Sequence, residues 1–326
     1  MREGKFIDKN KDRWMRYSTP AEDADELADR FTNLIDDLSY SKTFYPRSKT
    51  TKFINALSAK LFRSIYLNEK KGSGRTLTFF KYELPLVFRA YHAELLFTFV
   101  FFSLCVLISI LSCLDSYNFV RSILGDRYVD MTEENINKGD PFGVYKDENS
   151  WLMFLQIAFN NINVSFMAIV LGLLGGVGTL YILFQNGIML GSFHFMFFKK
   201  GLGMASILVV WIHGTIEISS IVIAGAAGII LGKGFLFPGT YTRKESLIRA
   251  AKDAAKIAIG LIPFFLMAAF LESYITRFTS MPIIVSVFIL FSSAALIIWY
   301  FIIYPRLLYR NGFRFTNGEI QYPDQK

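Results

Sequence analysis

The sequence predicts an all-α fold: a polytopic transmembrane helix bundle of about five to six spans, one of them broken or re-entrant, behind an N-terminal cytosolic helical hairpin. Three observations lead there. The chain has 326 residues, 52% of them hydrophobic and 16% aromatic, with a mean hydropathy of +0.35. Its apolar residues are gathered into runs near the ~20 residues that cross a bilayer. Its net charge of +8 is unevenly spread between those runs, as the positive-inside bias requires. A basic chain also raises nucleic-acid binding, but no interleaved basic and aromatic module is present, so no nucleic-acid partner is expected.

Residues 1–92 read as a cytosolic helical region. Thr19-Pro20-Ala21-Glu22 has the form of a capping box with proline at the first helical position. Leu27, Phe31, Leu34, Ile35 and Leu38 follow at helical spacing. A second amphipathic helix begins near Ser48 and carries Phe53, Leu57, Leu61 and Ile65 on one face, after a turn at Tyr45-Pro46. Two such helices pack as an antiparallel hairpin. Lys70-Lys71-Gly72-Ser73-Gly74-Arg75 is a flexible basic break. Phe79, Phe80, Tyr82 and Phe88, with Lys81 and Arg89, predict a segment lying at the membrane interface.

The first span is expected over 93–114, its apolar run starting near Leu95. No signal peptide precedes it, so it inserts as an uncleaved helix. The polar segment 115–150 follows, with Asp115, Asp126, Asp130, Glu133, Glu134, Asp140, Asp147 and Glu148 against Arg121, Arg127, Lys138 and Lys146. The loop 232–256 is the reverse, with Lys233, Arg243, Lys244, Arg249, Lys252 and Lys256 against Glu245 and Asp253. The first is therefore expected outside and the second inside. Within a transmembrane core over 151–304, the second span is expected at 162–184 and the last two at 257–275 and 283–304, joined by a turn at Thr276–Pro282. Arg306 and Arg310 place the tail, 305–326, in the cytosol. With both termini inside, the crossings are even in number. That forces a crossing, or a crossing with a re-entrant piece, between Asn186 and Leu231. Membrane lipid is the solvent, and the bacterial inner membrane the expected location.

Ionisable groups inside a span cost several kcal/mol, roughly 2.5 to 3.5 on insertion scales. His213 and Glu217 sit inside the apolar run Ala205–Leu231, four residues apart and so on one helical face. Three readings stay open: a structural pair with the glutamate bonding backbone at a helix break beside Gly214, a proton-relay or substrate site, and a metal site. The last lacks a third ligand, since His92 and His194 show no supporting pattern and no HExxH occurs. No metal and no cofactor is therefore expected. Asn160-Asn161 and Asn186-Gly187 flank the expected second span, either as caps and turns or as amides directed at His213 and Glu217. Gly172, Gly176, Gly191, Gly225, Gly228 and Gly232 allow close helix packing, within one bundle or along a homo-oligomer seam. Cys105 and Cys113 lie ~12 Å apart along one helix, too far for a disulfide. Walker A, Rossmann and nucleophile-elbow patterns are missing.

These residues resemble the stage II sporulation protein M family of bacterial and archaeal membrane proteins. Asp36–Tyr40, Tyr45–Ser48 and Phe53–Leu57 resemble its cytosolic helical part. Asn160-Asn161 and Asn186–Gly191 resemble its asparagine motifs. His213-Gly214-Thr215-Ile216-Glu217, followed by Ile223–Gly228, resembles its H-G-x-x-E element. Family members often place proline before the histidine, where this chain has Ile212. The resemblance implies a membrane scaffold rather than an enzyme, and partners such as a MoxR-type ATPase or an RDD-type membrane protein. On this basis the expected function is a non-enzymatic scaffold of an envelope-associated complex. The alternative is a small transporter or channel using the buried His/Glu pair.

Overall fold

The computed structural model describes residues 1–21, 23–67, 75–143, 149–278, 281–316 and 319–323. The chain divides into two units, Met1–Thr76 and Leu77–Lys326.

The first unit holds three helices rather than a two-helix hairpin: α1 (Glu3–Tyr17), α2 (Ala24–Phe44) and α3 (Lys49–Leu67). In α1, Phe6, Asn10 and Trp14 recur every four residues and form its buried face. They pack with Leu34, Leu38, Ile54, Leu57 and Leu61. The core position of α3 is Ile54, wholly buried, whereas Phe53 is largely exposed. Helix α2 does not begin at Thr19. Asp23 caps it, accepting from Glu26 N at 2.7 Å, and the Thr19 hydroxyl instead bonds Arg16 O at the end of α1. Glu22, the other half of the expected capping box, lies outside the described residues, as do 70–74 of the expected basic break. Asp37 ties α1 to α2. It accepts two bonds from Arg13 Nη2, at 2.8 and 2.6 Å, and one from Trp14 Nε1, at 2.7 Å.

Among the described residues, the regular structure of the second unit is helical apart from a small terminal hairpin. A short turn, α4 (Arg75–Thr78), leads through a π-helical stretch, Phe79–Glu83, into α5 (Leu84–Ala90). The expected interfacial segment is part of the bundle. Leu84, Val87 and Phe88 are fully buried, Phe88 packs on Phe301 with ring centroids 4.7 Å apart, and Leu84 fills the space left by Gly260. The boundary of the membrane unit thus falls near residue 77, not 92.

Among the described residues, six helices are long and apolar enough to cross a membrane: His92–Asp115, Ser150–Leu173, Val177–Lys199, Gly203–Leu236, Arg243–Thr276 and Ile283–Arg310. The first is α6 (His92–Asp115). Next come α7 (Tyr117–Leu124) and α8 (Asp126–Asn137), which cap one end of the bundle. Of the acidic segment, Lys146, Asp147 and Glu148 lie outside the described residues. Arg121 gathers Asp126, Asp130 and Glu133 at 3.2, 2.8 and 3.8 Å. Lys200 reaches Glu133 at 2.9 Å, tying this cap to the bundle.

The expected second span, 162–184, is two spans meeting at a turn. Helix α9 (Ser150–Val170) tightens at Leu171–Leu173, and α10 (Val177–Lys199) runs back beside it. Gly175 (φ +68°) and Gly176 (φ +86°) make the turn, which a Cβ would strain. Thr179 Oγ1 donates to Ala168 O at 2.7 Å across it. The apolar segment at 187–198 is the second half of α10, so no re-entrant piece is needed. Helix α11 (Gly203–Leu236) then continues unbroken for 34 residues, including past Gly214. The loop expected at 232–256 shrinks to residues 237–242, because α12 (Arg243–Phe270) begins at the Thr242 cap. Helix α12 runs on as a π-helical stretch, Leu271–Thr276. The turn that follows includes Thr279 and Ser280, outside the described residues. The last span consists of α13 (Ile283–Ile298), a π-helical stretch and α14 (Tyr304–Arg310). The tail closes with β1 (Arg314–Thr316) antiparallel to β2 (Glu319–Gln321), Phe315 opposite Ile320.

The start and end of this unit meet. Tyr300 OH donates to Phe80 O at 2.7 Å, and Tyr82 stacks on Phe313 at 5.1 Å. Lys256 pairs with Glu83, Lys233 with Glu94 (both 2.7 Å), and Tyr91 donates to Asp253 (2.7 Å) at the same end.

Candidate functional site: a buried histidine and two glutamates

Helix α11 packs against each of the five other spans, and its small residues make this possible. A Cβ on Gly172 would collide with Gly228 O, and one on Gly232 would fall 2.6 Å from Gly176 N. Gly225 receives Leu183 at 2.7 Å. Gly191 and Gly187, on α10, receive Ser109 and Cys105 of α6 at 2.6 and 2.8 Å. All six glycines expected to pack helices therefore do so inside one chain, and Gly187 joins them rather than the polar site.

His213 and Glu217 face inward as their spacing predicts, and a third group joins them. The ligating atoms of His213, Glu217 and Glu272 lie within 4.8 Å of one another. Glu272 comes from the π-helical end of the fifth span, and its Oε2 is 3.9 Å from His213 Nε2. On its other side, His213 Nδ1 is 3.0 Å from Thr276 Oγ1, which itself donates to Leu271 O at 3.2 Å. The wider π turn lets the Thr276 hydroxyl reach a carbonyl five residues back. The other ring nitrogen, Nε2, faces Glu272.

Asn161, buried on α9, lies beside the Glu217 carboxyl, while its Nδ2 makes no well-formed hydrogen bond. Ser165, one turn on, and Ser273, next to Glu272, also have hydroxyls without a partner. The site lies toward the end capped by α7 and α8, where Arg277 bonds Ser150 Oγ. Among the described residues, neither Glu217 nor Glu272 pairs with a lysine or arginine.

The other expected members do not converge. Asn160 and Asn161 are mid-helix in α9, not caps, and Asn160 faces outward with Gln156 and Asn163. Asn186 is mid-helix in α10 and bonds its own helix at Ile182 O, 2.8 Å. Gly214 is buried, but a Cβ there would meet only Val210, at 3.7 Å. His194 accepts from Trp211 Nε1 at 3.0 Å in a separate pocket of α10 and α11. Glu272 and Thr276 were missed because they sit 59 and 63 residues from His213 in sequence, at a span end where polar residues are ordinary.

The family model described as stage II sporulation protein M matches residues 95–277, more than half of the chain and all three residues of the site. The chain belongs to this family. A second model, described as a domain of unknown function (DUF8413), matches residues 4–67, the three helices of the first unit. No curated protein and no solved structure matches the chain. As a stage II sporulation protein M family member, the chain is a multi-pass membrane protein whose H-G-x-x-E element forms one wall of the cluster. The opposite wall comes from the fifth span.

Proposed function

We propose that this protein is a non-enzymatic scaffold of an envelope-associated complex in the bacterial inner membrane. The supporting observation is the first unit. It has its own core, yet leaves Phe44, Phe53 and Phe62 at 57%, 44% and 49% exposure, more aromatic surface than a solitary helical unit needs. The α7–α8 cap offers a second, acidic surface at the other side of the membrane. Both ends of the bundle's chain are cytosolic in this reading: six spans return the chain to its starting side, and Arg243, Lys244, Arg249, Lys252, Arg306 and Arg310 gather there. A MoxR-type ATPase or an RDD-type membrane protein is a candidate partner by family resemblance alone. Enzymatic roles find little support, because the hydroxyls beside His213 and His194, Thr276 and Ser206, both donate to backbone carbonyls and so are not poised to give a proton to imidazole.

Proximity labelling from the first unit tests this. A partner set that disappears with Phe53→Glu and Phe62→Glu is expected. A set indistinguishable from that of an unrelated membrane protein counts against the scaffold. The second reading, a small transporter or channel, is favoured by Glu272 joining His213 and Glu217 inside the bundle. It requires flux into proteoliposomes that Glu217→Gln changes.

A further inference from the structure

We infer that His213, Glu217 and Glu272 form a binding site for a divalent first-row transition-metal cation inside the membrane bundle. Four observations converge on it. The three ligating atoms lie within 4.8 Å of one another. A metal bonded at ~2.1 Å to each of two ligands spans up to ~4.2 Å between them, and the His213 Nε2 to Glu272 Oε2 separation is 3.9 Å. That distance is too long for a hydrogen bond. A cation bonded to both atoms would fill a gap of this width. Finally, the hydrogen bond between Nδ1 and Thr276 Oγ1 is the kind of outer support that orients a metal-binding imidazole.

The charge argument points the same way. Two carboxylates taken out of water without a lysine or arginine are costly, and a divalent cation balances both. Asn161, 5% exposed and beside Glu217, is placed to steady that carboxylate. One imidazole with two carboxylates suits zinc, manganese or iron better than magnesium or calcium, which take oxygen ligands in larger number. The site is independent of the scaffold reading: a scaffold with a metal-clamped core and a scaffold without one would capture the same partners.

The test uses the full-length protein in detergent, stripped with a chelator and then dialysed against Co2+. The expected result is one Co2+ per chain, with the visible absorption of a low-coordinate site, displaced by Zn2+. Glu272→Gln and Glu217→Gln are each expected to weaken uptake by ~100-fold or more, above the 10–100-fold typical of outer-shell changes. Asn160→Ala, on the outward face, leaves it unchanged. Substoichiometric uptake by the stripped parent overturns the proposal without recourse to any variant. So does Co2+ binding that Glu272→Gln and Glu217→Gln, both folded, leave intact.

Discussion

Gly172 and Gly228 meet backbone to backbone: the carbonyl oxygen of Gly228 occupies the place where a side chain on Gly172 would begin. The second span can lie this close to α11 only because both positions lack a Cβ. Backbone cannot step aside as a side chain can.

Gly172→Ala is therefore expected to cost about 2 kcal/mol or more and to lower the midpoint of thermal unfolding in detergent. Gly214→Ala serves as the internal contrast. It too is buried, but the new methyl would meet only Val210, at 3.7 Å, so its midpoint should stay near the parent's. Equal effects from the two substitutions would refute the close-packing account.

In the first unit, Asp37→Ala leaves the Trp14 indole N–H and the Arg13 guanidinium without their acceptor. The loss is expected at about 2 kcal/mol, toward the low end because Arg13 is one-third exposed. Hydrogen exchange on the full chain should show faster opening of α1 with the transmembrane helices unaffected. Unchanged protection of α1 would mean the Asp37 contacts contribute little.

The α7–α8 cap should respond to pH at both extremes. The Lys200 ammonium, with help from Tyr117 and Arg121, holds the Glu133 carboxyl below the usual carboxylate range. A depressed value means stabilisation that is present above the ordinary carboxylate range and lost as pH falls through the folded value. Burial, reinforced by the bond to Glu133, pushes the Tyr117 phenol up to about 12. A raised value means stabilisation present below the ordinary phenol range, near 10, and lost as pH climbs toward 12. Hydrogen exchange across 117–137 should rise at both ends, and Glu133→Gln should remove the acidic limb. An acidic limb that persists in Glu133→Gln would assign it elsewhere.

Glu94 and Lys233 provide a coupling test at the opposite end of the bundle. Glu94 is nearly buried, while Lys233 is well exposed and screened. Lys233→Met alone strands the carboxylate, but together with Glu94→Gln it does not. A double-mutant cycle should return a coupling of about 1 kcal/mol. Strict additivity would mean the pair is incidental.

The sequence made His213 and Glu217 conspicuous because charges inside an apolar run stand out. It hid Glu272 because that residue precedes Arg277 and a turn, where a carboxylate looks like ordinary interface chemistry. Charge parity called for an even number of crossings within an expected five to six, yet the second and third spans merged. Leu171–Val177 is apolar throughout, so hydropathy runs across the turn, and only the paired glycines, Gly175 and Gly176, mark the reversal. Helix α1 escaped notice for the opposite reason. Lys5, Asp8, Lys9, Lys11, Asp12 and Arg13 surround Phe6 and Trp14, and a two-residue apolar stripe is faint against so much charge.

The position of α11, against all five other spans, also dictates an order of assembly. Three spans leave the ribosome before it, and each carries a face that α11 will later cover: Gly172 and the Asn161 amide on the second, Leu183 on the third. Until α11 arrives those faces meet lipid or one another, and the polar ones are poorly served by hydrocarbon. The His–Glu–Glu cluster cannot exist until the fifth span is delivered. Nascent chains truncated before residue 203 should thus be held by insertion chaperones or degraded, whereas chains that include the sixth span, through residue 310, should pass quality control.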